Sequence, residues 1–214
     1  MTTAQPSHCV GADSPLLLED TITANLRATV AHFPDREALV DVPSRQRWTY
    51  AQFLSDVEAC AMGLLALGVQ PGDRIGIWSP NRPEWVLAQY GSAMIGAILV
   101  TINPAYRTHE LEYVLNQSGI SVLLSAPNFK TSDYRAMVAE VRANCPDLRE
   151  VIFFDDPAWD SLISNGRAGD RAALQECEQA LRSSDPINIQ YTSGTTGFPK
   201  GATLTHRKIG RAHV

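Results

Sequence analysis

The feature that most limits what this chain can fold into is a repeated alternation of short apolar runs with segments of helical periodicity. Residues 74–78, 97–101, 122–124, 151–154 and 187–192 read as strands, with a further strand at 38–42 and its hairpin partner at 47–49. Most are continuous apolar runs rather than in–out alternations, the pattern of strands covered on both faces. Between them, helical patterns occupy residues 50–67, 110–117, 132–144 and 171–181, and another begins at Pro83, a residue suited to a first helical turn. An earlier helix opens at Asp20-Thr21-Ile22, carries Leu26, Val30 and Phe33, and stops at Pro34. The expected fold class is therefore α/β, a mostly parallel sheet flanked by helices.

Local signals support these segments. Thr49 can cap the helix that follows, whose apolar stripe is Phe53, Val57, Ala61, Leu64 and Leu65, with Gly68 at its end. The 132–144 helix turns Tyr134, Met137, Val138 and Val141 inward. Outside 171–181, residues 155–186 read as polar and broken, with Asp155-Asp156 as a solvated turn. Trp48, Trp78 and Trp85 are expected to pack rather than stack on a ligand. Asn103 and Tyr106 are expected to shape a turn, and His32 and His109 to be solvated.

Composition removes several classes of function. The chain has 214 residues, 18 basic and 23 acidic side chains, a net charge of −5 and 44% hydrophobic residues. These are values of a folded chain, and at about 150 residues per domain they allow one or two domains. A mild acidic excess speaks against a nucleic-acid partner, which needs a basic face. The most apolar stretch, 93–102, is well short of the roughly 20 residues of a membrane span. Residues 1–8 carry no basic-then-apolar leader. Cys9, Cys60, Cys145 and Cys177 are far apart, with neither zinc nor redox spacing, and are expected to be free thiols in a reducing, cytoplasmic setting.

One segment carries chemistry. Residues 191–201 read Tyr191-Thr192-Ser193-Gly194-Thr195-Thr196-Gly197-Phe198-Pro199-Lys200-Gly201, directly after a strand. Its glycines let the backbone approach a ligand closely, and successive loop N–H groups can form an anion-binding concavity. The hydroxyls of Thr192, Ser193, Thr195 and Thr196 can donate to phosphate oxygens, and Lys200 adds a mobile positive charge. The bland alternative is a small-polar surface loop with a solvated lysine. A Walker A loop is excluded because Lys200 lies between Pro199 and Gly201. No G-x-G-x-x-G, no G-x-S-x-G elbow and no histidine cluster occurs, so dinucleotide binding, serine hydrolysis and a metal site have no signature.

These eleven residues resemble the phosphate-binding signature of the AMP-forming adenylating enzymes, a superfamily of acyl-CoA synthetases, luciferase-like enzymes and nonribosomal adenylation domains. Residues 68–77, Asn81-Arg82-Pro83-Glu84-Trp85 and Thr101-Ile102-Asn103-Pro104-Ala105-Tyr106 resemble further landmarks of that superfamily. Residues 101–119, with Glu110-Leu111-Glu112-Tyr113-Val114-Leu115, are most similar to its medium-chain fatty acyl-CoA ligases. The resemblance implies a carboxylic acid and ATP as small-molecule partners, Mg2+ as cofactor and coenzyme A as the acyl acceptor. The acid and ATP form an acyl-adenylate and pyrophosphate, and the thiol then displaces AMP. Carried over by position, the phosphate-holding residues are Thr192, Ser193, Gly194, Thr195, Thr196, Gly197, Phe198, Pro199 and Lys200. His206 falls where it could approach the acyl group, or simply cap a helix or lie on the surface.

The resemblance also implies that much is missing. The later segments that place adenine, ribose and magnesium, the mobile C-terminal domain with its adenylation lysine and most of the acyl pocket have no counterpart here. The expectation is an N-terminal part of such an enzyme, inactive alone and without a catalytic or metal-binding residue of its own. Residues 1–19 read as a loose lead and residues 20–207 as an incomplete AMP-binding domain. Residues 208–214 depart from the superfamily pattern. One coding for them, AAG ATC GGA AGA GCA CAC GTC, contains AGATCGGAAGAGCACACGTC, which looks like a common short-read sequencing adapter, so they are expected to be a non-native tail. Two other readings stay open: an adenylating ligase for an aryl or amino acid, and a non-catalytic nucleotide-binding fragment. Oligomeric state is not legible.

Overall fold

The structure, a computed structural model, describes residues 18–192 and 199–210. The chain enters through helix α1 (Ile22–His32), a hairpin of β1 (Glu37–Asp41) and β2 (Gln46–Thr49), and the long helix α2 (Tyr50–Ala66). Strand and helix then alternate as β3 (Arg74–Trp78), α3 (Pro83–Met94), β4 (Ile98–Thr101), α4 (Thr108–Ser118) and β5 (Ile120–Ser125). A minimal hairpin, β6 (Asn128–Phe129) with β7 (Ser132–Asp133), leads into α5 (Tyr134–Val141). Then come β8 (Glu150–Phe153), α6 (Pro157–Arg167), α7 (Arg171–Ala180), β9 (Pro186–Thr192), β10 (Lys200–Thr205) and α8 (His206–Gly210).

Six of these strands form one sheet in the order β10-β9-β4-β3-β5-β8. All neighbours are parallel except β10, which runs antiparallel to β9 at the edge. One face buries Ile75, Ile77, Leu99, Val122 and Leu124 against side chains of α2, α3 and α6. The other buries Val100, Ile120 and Leu123 against α4 and α5. The mostly parallel α/β architecture is the one the apolar runs imply, since each strand has to satisfy a hydrophobic layer on both sides.

The expected local signals are in place. Thr49 accepts from Gln52 N while the Gln52 side chain accepts from Thr49 N, a complete capping box. Thr21 caps α1, and Pro83 is in the first turn of α3. Gly68 ends the helical run with φ +79. Trp48 and Trp78 are buried, Trp85 packs partly buried at the core, and Trp78 stacks on Tyr134 with centroids 3.5 Å apart. Trp78 Nε1 donates to Asn103 O and the Tyr134 hydroxyl to Pro104 O, while Asn103 Oδ1 accepts from Ala105 N. The 103–106 segment is thus the turn expected of it.

Three local expectations need correction. Residues 157–167 form α6 rather than a broken polar stretch, with Trp159 and Leu162 buried. Asp155 and Asp156 are not simply solvated: Asp155 pairs with Arg82 at 2.8 Å and Asp156 with Arg135 at 2.5 Å. The 132–144 helix is shorter than its periodicity, because Ser132 and Asp133 pair as a strand and residues 142–144 tighten into a 3-10 turn. Cys60, Cys145 and Cys177 are free thiols, as expected, and Cys9 lies outside the described residues. Among the described residues no helix is long and apolar enough to cross a membrane.

Candidate functional site at the carboxyl edge of the sheet

The expected phosphate-binding segment leaves from the C-terminal end of β9, at the edge of the sheet where β3, β4, β5 and β8 also end. In open parallel sheets this is the edge at which ligands are bound. Thr192, Pro199 and Lys200 are the sequence-predicted site residues that are described; Ser193, Gly194, Thr195, Thr196, Gly197 and Phe198 lie outside the described residues.

The two ends of the segment are brought together by strand pairing. Lys200 is opposite Thr192 and Gly201 opposite Tyr191. The Thr192 hydroxyl donates to Lys200 O at a long 3.5 Å. A Cβ at Gly201 would sit 2.8 Å from Ile189 Cγ2, so the Ile189 side chain would have to give way to any other residue there. Thr192 and Lys200 are both exposed, so a hydroxyl and an ammonium are presented side by side at the mouth of the hairpin. Such a pair suits an anion, as the hydroxyl can turn from its long bond to Lys200 O to donate to it, and the lysine supplies a point charge without demanding a fixed geometry.

Helix α4 contacts β9 and the residue just before β10. The Tyr113 hydroxyl donates to Pro199 O at 3.4 Å, and the Tyr191 hydroxyl to Gln117 Oε1 at 2.7 Å. Tyr191 is half-buried, and burial pushes its phenol above the usual range, so it stays a neutral donor at physiological pH. Sequence reasoning missed Tyr113 and Gln117. Their four-residue spacing puts them on one helix face, but nothing in the pattern says what that face meets.

Other polar features lie elsewhere. His206 is 1% exposed, and its Nδ1 accepts from Ile22 N at 3.1 Å. It therefore serves as a cap, but for α1 rather than for a helix of its own neighbourhood, and it is not a surface residue. Burial lowers its pKa to about 4, partly opposed by Asp185. A cavity of about 690 Å³ is lined by Trp48, Arg82, Phe154, Trp159 and Arg167. Its cations are already used: Arg82 by Glu84 and Asp155, Arg167 by Asp56. It is therefore a poor anion site, and it lies between the β1–β2 hairpin, α3 and α6, with no residue of β9 in its lining. No group of three or more His, Cys, Asp or Glu able to hold a metal occurs among the described residues.

Comparison with known proteins shows the family of the chain. The family model described as AMP-binding enzyme matches residues 26–213. The chain is 40% identical over 225 aligned positions to the mitochondrial medium-chain acyl-CoA ligase ACSF2 of Danio rerio, covering 97% of this chain and 37% of that protein. The Homo sapiens protein of the same name is 39% identical, with 95% of this chain and 36% of that protein covered. The chain thus spans little more than a third of the length of these relatives. Among solved structures, the Mycobacterium tuberculosis fatty acyl CoA synthetase superposes with a TM-score of 0.74 at 28% identity, over 87% of this chain and 34% of the other. The N-terminal domain of FACL13 from the same organism gives 0.68 at 29% identity, over 88% and 45%.

Proposed function

The chain belongs to the AMP-binding enzyme family, and from that premise we propose that it is the N-terminal part of an ATP-dependent, AMP-forming fatty acyl-CoA synthetase. The whole enzyme would join a fatty acid to ATP, release pyrophosphate and pass the acyl group from the adenylate to coenzyme A. The medium-chain acyl-CoA ligases to which the chain is about 40% identical favour a fatty acid over an aryl or amino acid.

The observation that carries the reading is the β9–β10 hairpin, which sets Thr192 opposite Lys200 at the carboxyl edge of a parallel sheet. This chain's contribution is to hold the polyphosphate. The Thr192 hydroxyl and Lys200 ammonium, with the hydroxyls and glycines of residues 193–198, offset negative charge on the leaving pyrophosphate. Magnesium would add charge neutralisation there when bound; its ligands are not assigned to the described residues. Residues 20–207 would act as one incomplete domain after a loose lead over 1–19. Residues 208–214 are proposed as a non-native tail, which reading the codons decides.

Two measurements on the chain test this. Titration calorimetry should show binding of ATP and of pyrophosphate that Lys200→Ala weakens; absence of any binding overturns the reading. ATP–pyrophosphate exchange should be undetectable beside a full-length ligase, and robust exchange would show that the chain is active alone. The cytoplasmic placement rests on sequence only, and the relatives carry mitochondrial in their names; imaging a tagged protein separates the two.

A further inference from the structure

The face of α4 at Tyr113 and Gln117 contacts β9 and the residue just before β10, in the hairpin that carries the proposed phosphate-binding segment. Tyr113 holds the start of β10 through Pro199 O, and Gln117 holds the end of β9 through the Tyr191 hydroxyl. Tyr106, Tyr113, Ile189 and Tyr191 also pack on the same buried cluster as α4 and α5. The helix is itself well anchored, since Leu111, Val114 and Leu115 are buried. A well-anchored helix therefore contacts Tyr191 and Pro199, the neighbours of Thr192 and Lys200, whose proposed work depends on where their donors are held.

We infer that Tyr113 and Gln117 are positioning residues, which hold Pro199 and Tyr191 so that the adjoining Lys200 and Thr192, opposite each other in the hairpin, present their ammonium and hydroxyl to a polyphosphate. Neither residue touches the ligand. Both act through the strand ends, Tyr113 by a hydroxyl aimed at a carbonyl and Gln117 by accepting a phenol. The inference rests on the function proposed above and names further residues for it. The strand ladder by itself sets the separation of the hairpin ends, and α4 adds their placement relative to the sheet.

The test uses the 214-residue chain and four proteins: wild type, Tyr113→Phe, Gln117→Leu and Gln117→Glu. Tyr113→Phe removes one hydroxyl and keeps the ring in its packing. Gln117→Glu keeps an acceptor for Tyr191, and Gln117→Leu does not. Amide hydrogen exchange without ligand should be faster at Lys200 and Gly201 in Tyr113→Phe, and at Tyr191 and Thr192 in Gln117→Leu. Gln117→Glu should match wild type. ATP and pyrophosphate affinity should fall about fivefold in Tyr113→Phe and in Gln117→Leu, the effect of one lost hydrogen bond. Gln117→Glu should restore it, and melting temperatures should stay near wild type.

Unchanged exchange at the strand ends overturns the inference. So does faster exchange with unchanged affinity, which would leave the contacts structural only. A wild-type chain that binds neither ATP nor pyrophosphate overturns the proposed function itself, and this inference falls with it. A wild type that binds, with variants that bind equally well, overturns the inference alone.

Discussion

The Nδ1 of His206 accepts the backbone N–H of Ile22 at 3.1 Å, so a ring at the start of α8 completes the first turn of α1, 184 residues earlier. The first N–H groups of a helix have no partner inside it, and here a distant side chain supplies one. To accept, Nδ1 must carry no proton; burial keeps the ring neutral by pushing the pKa down to about 4, and the Ile22 N–H selects the tautomer with Nδ1 bare.

A pH dependence of stability follows. In the unfolded chain the ring titrates near ~6.5, above its folded value, so the unfolded state binds the proton first as pH falls. The stabilisation is whole above that unfolded value and is lost progressively as pH drops toward about 4. The loss approaches about 1.4 kcal/mol per pH unit within that window. Urea unfolding midpoints at several pH values, in wild type and His206→Asn, check it. The variant should be less stable at neutral pH by about 1 kcal/mol and should show a shallower fall between neutral pH and pH 4.

The crossing of α2 and α6 leaves no room at Gly166. A Cβ there would lie 1.8 Å from Ala59 O and 2.8 Å from Gly63 N, both backbone atoms that cannot step aside alone. Gly166→Ala should therefore cost about 3 kcal/mol or more, because the helices must separate. Denaturant titration followed by circular dichroism measures this. A loss under about 0.5 kcal/mol, the range of neutral surface changes, would contradict it.

Lys200 is exposed at the mouth of the hairpin, so its removal should affect binding and not folding. Lys200→Ala is expected to weaken pyrophosphate binding about tenfold, within the range of charge-assisted hydrogen bonds, with an unchanged melting temperature. The wild-type affinity should fall with added salt, and the variant's should fall less steeply. Titration calorimetry at two ionic strengths reads both.

Thiol reactivity should follow burial. Cys60 is fully buried with its pKa raised to about 12, and Cys145 is buried, while Cys177 is half-exposed. The thiolate is the reacting form, so Cys177 should be modified first among these three, and Cys60 only on unfolding. Timed alkylation followed by peptide mass spectrometry gives the order.

The sheet was legible because its strands are buried on both faces, and runs such as Ile98-Leu99-Val100 have no other use. The order of those strands was not legible, since it depends on contacts between residues far apart. Helix α6 was missed although Trp159, Leu162, Ile163 and Gly166 have helical spacing. Gly166 reads as a breaker until the backbone of α2 is seen lying against it. Strand β10 was missed because an edge strand of Lys200, Gly201, Ala202 and Thr203 is exposed and has no apolar run to announce it. At the proposed site, the glycines, hydroxyls and lysine of segment 191–201 stood out, while its phosphate-binding reading came from the resemblance to adenylating enzymes. The grip of Tyr113 and Gln117 was not, because a hydrogen bond between distant elements leaves no periodic trace.

The sheet order also has a consequence in time. β4 is paired on one side with β3, made shortly before it, and on the other with β9, whose Ile189 lies 88 residues after the Thr101 it meets. During synthesis at about 5–20 residues per second, that flank of β4 stays bare for roughly 4–18 s. Its residues Ile98, Leu99 and Val100 are among the most apolar of the chain, and a bare apolar strand edge invites pairing with other chains. The arrival of β9 at the ribosome exit is thus the moment at which this apolar flank of β4 is covered.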